Sequence, residues 1–250
     1  MIKSIRSAFV FFSRLPVGKA PIHHSLSGVT AWLPLVGIVL GLLIGLSVYC
    51  LQFVFPPFIV GLLACGLWII LTGGLHLDGV ADCGDGLFVE TSRERRLEIM
   101  KDSRLGTFGG IALFMVLSVK IFALSHIAGL GLWQILCACI LATVLGRSQI
   151  FLLMKYPSAR PGGMGDAVRQ GTTNRQALIG AGIAAILALI AAPFGPIAFM
   201  VATALSLYII HLSMKRLGGT TGDIYGCTIE VTECLVLIIF CLNLHQFFVR

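Results

Sequence analysis

Seven apolar stretches divide the chain, at residues 29–54, 58–75, 106–128, 132–153, 177–194, 197–214 and 231–249. A bilayer core of about 30 Å takes roughly 20 apolar residues per helix. The pattern therefore predicts an all-α, polytopic transmembrane helical bundle of about seven spans. Pro56-Pro57 separates the first pair, Gly129 to Gly131 turns the third into the fourth, and Pro193 to Pro196 turns the fifth into the sixth. The remaining connections, 73–105, 154–176 and 215–230, are long, polar and rich in glycine. No break in composition marks a soluble domain, so residues 1–250 read as one integral membrane domain.

The first 20 residues are different. Their apolar run, Ala8 to Phe12, is too short for a signal peptide and no small-residue cleavage site follows. They predict an amphipathic helix lying in the interface, with Lys3, Arg6 and Arg14 among the headgroups. Residues 91–101 predict a short surface helix capped by Ser92, with Leu97 and Met100 on its apolar side.

Composition sharpens the membrane assignment. Hydrophobic residues make up 57% of the chain and charged ones 12%, with a mean hydropathy of +0.97; soluble domains carry about 25% charge. Placing the N-terminus in the cytoplasm puts fifteen of the eighteen basic residues on the inner side, leaving Lys120 and Arg147 inside spans and Arg250 outside. That bias predicts a multi-pass protein of the inner, cytoplasmic membrane. All eleven carboxylates fall on the same side or at its edge, so the chemistry is expected there. The eight cysteines lie mostly in apolar runs without a C-x-x-C pair, which disfavours zinc and disulfides. Nothing points to nucleic acid.

The densest chemical signal is residues 73–86, GGLHLDGVADCGDG. Asp78, Asp82 and Asp85 stand at i, i+4 and i+7, so a helix holds them within about 60° of one another. Three carboxylates crowded beside an apolar span repel one another, and a hard cation such as Mg²⁺ relieves both repulsion and desolvation. Asp102 is a further ligand candidate; Ser103 and Arg104 offer phosphate contacts. In LGGTTGD, residues 217–223, Thr220, Thr221 and Asp223 line a glycine-rich backbone suited to a phosphate, though no P-loop is present. Arg147, inside a span, is read as a phosphate ligand or a structural ion pair, and Lys120 likewise as functional or structural. His76 adjoins the aspartates as a general base or substrate hydrogen-bond donor.

Three segments, TGGLHLDGVADCGDG (72–86), EIMKDSRLGTFGG (98–110) and LGGTTGD (217–223), resemble in order and spacing the signatures of the cobalamin synthase family, adenosylcobinamide-GDP ribazoletransferase. The early RLP at 14–16 fits as well, and the resemblance covers essentially the whole chain. It implies a Mg²⁺-dependent reaction of adenosylcobinamide-GDP with α-ribazole or its 5′-phosphate that releases GMP. In that reading Asp78, Asp82 and Asp85 hold Mg²⁺ with Asp102 in support, Arg104 and Arg147 meet phosphates, and Asp82 or His76 handles the proton. Membrane lipid, a homo-oligomer and pathway enzymes on the cytoplasmic face are the partners such a protein would meet. One rival is a CDP-alcohol phosphotransferase. Asp78-Gly79-Val80-Ala81 begins its motif, but Asp82 stands where that motif needs arginine. A cation transporter is disfavoured because the acids keep to one edge.

Overall fold

The computed structural model describes residues 2–18 and 28–242. Lys19, His23, His24 and the last eight residues of the seventh expected span and tail lie outside them. Within the described residues the secondary structure is helical, apart from one isolated bridge between Ser158 and Thr220.

Four stretches are long and apolar enough to cross a membrane. They are the Thr30–Trp32 turn with α2 (Leu33–Leu51), α6 (Thr107–Ile127), α7 (Leu132–Ser148) with α8 (Ile150–Leu153), and α11 (Phe194–Leu217). Two bent pairs raise the number to six: α3 (Pro57–Thr72) with α4 (Leu75–Gly86), and α9 (Met164–Gln170) with α10 (Asn174–Ile190). By length and composition the described residues thus hold four to six such spans; the seventh expected stretch, 231–249, lies partly outside them. Phe114, Met115, Phe122, Leu178, Leu189 and Met200 lie exposed along these helices, an apolar surface that suits lipid rather than water.

At the centre stands α7, whose Ile135, Ala138, Leu141, Val144 and Leu145 are fully or almost fully buried. Gly37 and Gly41 let α2 lie directly on its backbone, since a Cβ at either position would collide with α7. The Thr143 hydroxyl then donates to Gly37 O at 2.7 Å across the crossing. Small residues at the contact and a side-chain hydrogen bond are the usual means of joining helices in lipid.

Two expectations about the polar end change. The segment 215–230, expected as a loop, is helical from Gly222 onward, because Thr221 caps α12 (Gly222–Phe240) by accepting from Ile224 N at 3.2 Å. Glu230 and Glu233 consequently sit inside the bundle, buried, rather than at its edge. Only the start of α12, Gly222 to Glu230, falls outside the apolar stretch at 231–249; the charge of the two glutamates is balanced by Lys120 of α6 and Arg147 of α7, far away in sequence. The N-terminal helix α1 (Ile2–Phe12) exists as expected, with Lys3 and Arg6 exposed, and the surface helix forms as α5 (Arg93–Ile99), capped by Ser92. The apolar side of α1, Ala8, Phe9 and Phe12, is buried against the chain itself.

Candidate active site

The site is made by a right-angled turn. α3 ends at Thr72, and Gly73 and Gly74 both take φ of 67°, a left-handed conformation that other residues resist. The chain swings by 97° into α4, which lies across the ends of α6 and α12. The crossings are close because Gly79 faces the α12 backbone at Asp223 and Gly84 faces α6 at Gly109. These glycines of the motif admit the neighbouring helices.

The helix forms as the i, i+4, i+7 spacing requires, yet its three aspartates have different surroundings. Asp78 is exposed, and Asp82 is half-buried. Burial, then the charges of Asp223 and Asp78, push the Asp82 carboxyl up to about 7, against the opposing pull of Arg160. Asp85 is turned toward α6, where its two oxygens accept from Gly106 N at 2.7 Å and Gly109 N at 2.8 Å. It acts as a borrowed N-cap for a helix with no capping side chain of its own. Asp85→Ala should therefore destabilise the protein by about 1–2 kcal/mol, read as a lower thermal midpoint in detergent. An unchanged midpoint would remove the capping role.

Asp223, at the first turn of α12, comes from the far end of the chain to face Asp82 and Asp78. It is held by Arg160, whose Nη1 donates to Asp223 Oδ2 at 3.1 Å and whose Nη2 donates to Leu97 O at 3.4 Å. The loop carrying Arg160 is fixed by Ala159 N donating to Thr220 O and Thr220 N donating to Pro157 O, each at 2.8 Å. Arg160 was not picked out from the sequence. The only signal was a polar, glycine-rich loop of the same character as those that carry the motifs.

The other expected site residues lie elsewhere. Thr220 and Thr221 are buried, bracing that loop and capping α12 rather than presenting hydroxyls to a ligand. Arg147, expected at a phosphate, is fully buried; its Nη1 donates to Glu233 Oε1 at 2.8 Å and to Thr143 O at 3.1 Å. Lys120 donates to Glu230 Oε2 and Glu233 Oε2, both at 2.6 Å, with the Trp68 ring 4.4 Å from its nitrogen. Asp102 and Arg104 are paired with each other at 2.6 Å on the surface, which lowers the Asp102 carboxyl to about 2. Ser103 is exposed beside them. With Asp85 the Asp102–Arg104 pair borders a shallow depression of about 240 Å³.

Asp78, Asp223 and His76 border a different cavity, of about 260 Å³, between α1, α4, α9 and α12. His76 is buried, and neither ring nitrogen has a hydrogen-bond partner. Its Nδ1 lies 4.0 Å from Glu230 Oε1. No three His, Cys, Asp or Glu side chains among the described residues are grouped tightly enough to enclose a metal ion by themselves. What the arrangement offers is a pair of carboxylates from two helices with a guanidinium beside them, at the mouth of a largely apolar cavity.

Comparison with known proteins places this arrangement in context. Residues 4–241 match the family described as cobalamin-5-phosphate synthase. Adenosylcobinamide-GDP ribazoletransferase from Escherichia coli strain UMN026 is 38% identical over 246 residues, covering 95% of this chain and 99% of its own. The protein of that name from strain K12 is 37% identical with the same coverage. That from Citrobacter koseri is 39% identical over 247 residues, again covering 95% and 99%. No solved structure matches the chain. The matches run through every element of the site just described, and the chain belongs to the cobalamin-5-phosphate synthase family.

Proposed function

We propose that this chain joins adenosylcobinamide-GDP to α-ribazole or its 5′-phosphate and releases GMP. The reading is supported by relatives named for that activity. The single structural observation behind it is the meeting of Asp82 and Asp223, from α4 and α12, beside Arg160. We assign these two carboxylates, with Asp78 next to them, to Mg²⁺. The fit is chemical: Mg²⁺ needs only one or two carboxylates and takes its other positions from waters and substrate phosphates. Two acids held half-buried at mutual repulsion are a donor set that a cation relieves.

In the reaction, a ribose hydroxyl attacks the phosphorus that bears the cobinamide. A new O–P bond forms, the bond to the bridging oxygen breaks, and GMP leaves with that oxygen. The hydroxyl proton passes to a carboxylate of the cluster. Arg160, anchored by Asp223 and Leu97 O, sets a fixed positive charge beside the phosphates, while Arg147 stays in the bundle. Bound Mg²⁺ supplies positive charge against the pyrophosphate and the departing GMP. Asp102 and Arg104 neutralise each other and are left outside this assignment.

We place the protein in the cytoplasmic membrane with α4 toward the cytoplasm, supported by the basic residues gathered at that end. One assay tests activity and orientation together. Adenosylcobinamide-GDP and α-ribazole 5′-phosphate are given to inside-out and right-side-out vesicles, with Mg²⁺ and with EDTA. GMP should appear from inside-out vesicles with Mg²⁺ alone. Release that survives EDTA overturns the metal, and CMP release from a CDP-alcohol overturns the reaction.

The electrostatics of Asp82 add a pH dependence. Its carboxyl titrates at about 7 without metal, and the protonated form must lose its proton to bind a cation. The Mg²⁺ concentration for half-maximal GMP release should therefore rise as pH falls below about 7, approaching about tenfold per unit. Asp82→Asn should lose this dependence along with most activity. A flat Mg²⁺ requirement between about pH 6 and about pH 8 would sink the role of Asp82 as a ligand.

A further inference from the structure

The cavity beside the carboxylates has a composition that the phosphate chemistry does not use. Phe11 and Phe12 of α1, Met164 and Val168 of α9, and Tyr225 and Ile229 of α12 give it aromatic and aliphatic walls. Asp78 and Asp223 meet the same space, and His76 contributes to its wall, its Nδ1 turned inward to 4.0 Å from Glu230 Oε1.

We propose that this cavity receives the aromatic base of the ribazole substrate, so that α1 forms one wall of the acceptor site. The inference rests on the transfer reaction proposed above and goes beyond it by naming which substrate occupies which space. Size is the first argument. About 260 Å³ lies just below the roughly 300–1,000 Å³ of pockets for drug-sized ligands and suits one bicyclic ring, whereas a corrin is far too large. Polarity is the second. Dimethylbenzimidazole linked to ribose has no N–H and a single acceptor nitrogen, and its methyl groups favour apolar walls. Guanine carries donors and acceptors around its edges that Phe, Met, Val and Ile would leave unsatisfied. Placement is the third. A base seated against Phe11, Phe12 and Tyr225 leaves its ribose toward Asp78 and Asp223, where the attacking hydroxyl is needed. Flat rings packed against such walls are held by offset or edge-on contacts as well as by burial.

This gives α1 a purpose beyond an anchor. Its apolar side is buried in protein because it closes the acceptor site, and Lys3 and Arg6 remain free for the headgroup region.

Gly222 allows a direct test. It also lines the cavity, and a Cβ there would come no closer than 3.5 Å to Gly165 N, an ordinary contact. Gly222→Leu should therefore carry apolar bulk into the cavity from a position where the Cβ itself is accommodated. The expected result is a rise of at least about tenfold in KM for α-ribazole with KM for adenosylcobinamide-GDP unchanged. Binding of α-ribazole alone to the purified full chain in detergent, measured by calorimetry, should weaken in parallel. Met164→Ala, at an exposed position on the rim, should shift kcat/KM toward ribazoles with bulkier groups on the benzimidazole. A rise in KM for adenosylcobinamide-GDP alone would assign the cavity to guanine and overturn the proposal. So would wild-type constants for both substrates in Gly222→Leu. If the unmodified chain binds α-ribazole, weakly in Gly222→Leu, but never releases GMP, the reaction fails and the cavity assignment stands.

Discussion

Asp82→Ala is expected to lower Mg²⁺-dependent GMP release by about a hundred- to a thousandfold while leaving the protein at least as stable as before. The two halves of this expectation have one cause. Burial and the charges of Asp223 and Asp78 raise the Asp82 carboxyl from its ordinary value of 3.8 to about 7. The folded chain thus holds this proton more tightly than the unfolded chain does. Below about pH 4 both states are protonated and the group contributes nothing to pH-dependent stability. Between there and about pH 7 the unfolded state ionises first, so ionisation progressively disfavours the fold, and above about pH 7 the full penalty applies. Asp82 is partly solvated, which weakens the penalty without changing its sign. Removing the side chain should raise the thermal midpoint at alkaline pH without added Mg²⁺ and change little at acid pH. Activity and stability then move in opposite directions, as expected where a functional group is held at a cost to the fold. Loss of both together in GMP-release and melting measurements would make Asp82 a structural residue.

The sequence made the acidic helix readable but not its counterpart. Spacing alone put Asp78, Asp82 and Asp85 on one face of a helix, and the structure forms that helix as α4. The second carboxylate beside Asp82 is Asp223, on α12, and its guanidinium partner Arg160 comes from an irregular loop. Neither relation leaves a periodic trace, because each depends on the bend at Gly73 and Gly74 and on the bridge between Ser158 and Thr220. Asp85 shows the converse. It belongs to the motif by spacing, yet its oxygens are committed to amides about twenty residues away, at Gly106 and Gly109. Long apolar runs such as α2, α6 and α11 were found nearly to their ends, since a continuous span needs no distant partner to explain it. The start of α12 was missed for the opposite reason. Asp223 and Glu230 read as polar until Arg160 and Lys120 are brought beside them.

The buried quartet of Lys120, Arg147, Glu230 and Glu233 carries the largest expected effect on stability. Glu233 accepts from Arg147 Nη1 at 2.8 Å through one oxygen and from Lys120 Nζ at 2.6 Å through the other. Glu230 accepts from Lys120 at 2.6 Å, so two cations face two anions and the group is neutral overall. Lys120, Arg147, Glu230 and Glu233 are all buried, and Glu233 lies roughly 17 Å along α12 from its first residue. Glu233→Ala would strand the Arg147 guanidinium, whose Nε and Nη2 already lack partners. Breaking a buried pair from one side costs about 3–5 kcal/mol, a large part of the 5–15 kcal/mol typical of a whole domain. The variant should fail to accumulate as folded protein in the membrane. Glu233→Ala with Arg147→Met removes one charge of each sign and leaves Lys120 paired with Glu230. This double variant should recover much of the loss, giving a clear coupling energy in a double-mutant cycle. Its GMP release decides the role of Arg147. A folded double variant that still turns over keeps Arg147 in the bundle and leaves phosphate binding to Arg160. A folded but inactive one returns Arg147 to the substrate, and equal stability of the single and double variants would show that the quartet is not coupled at all.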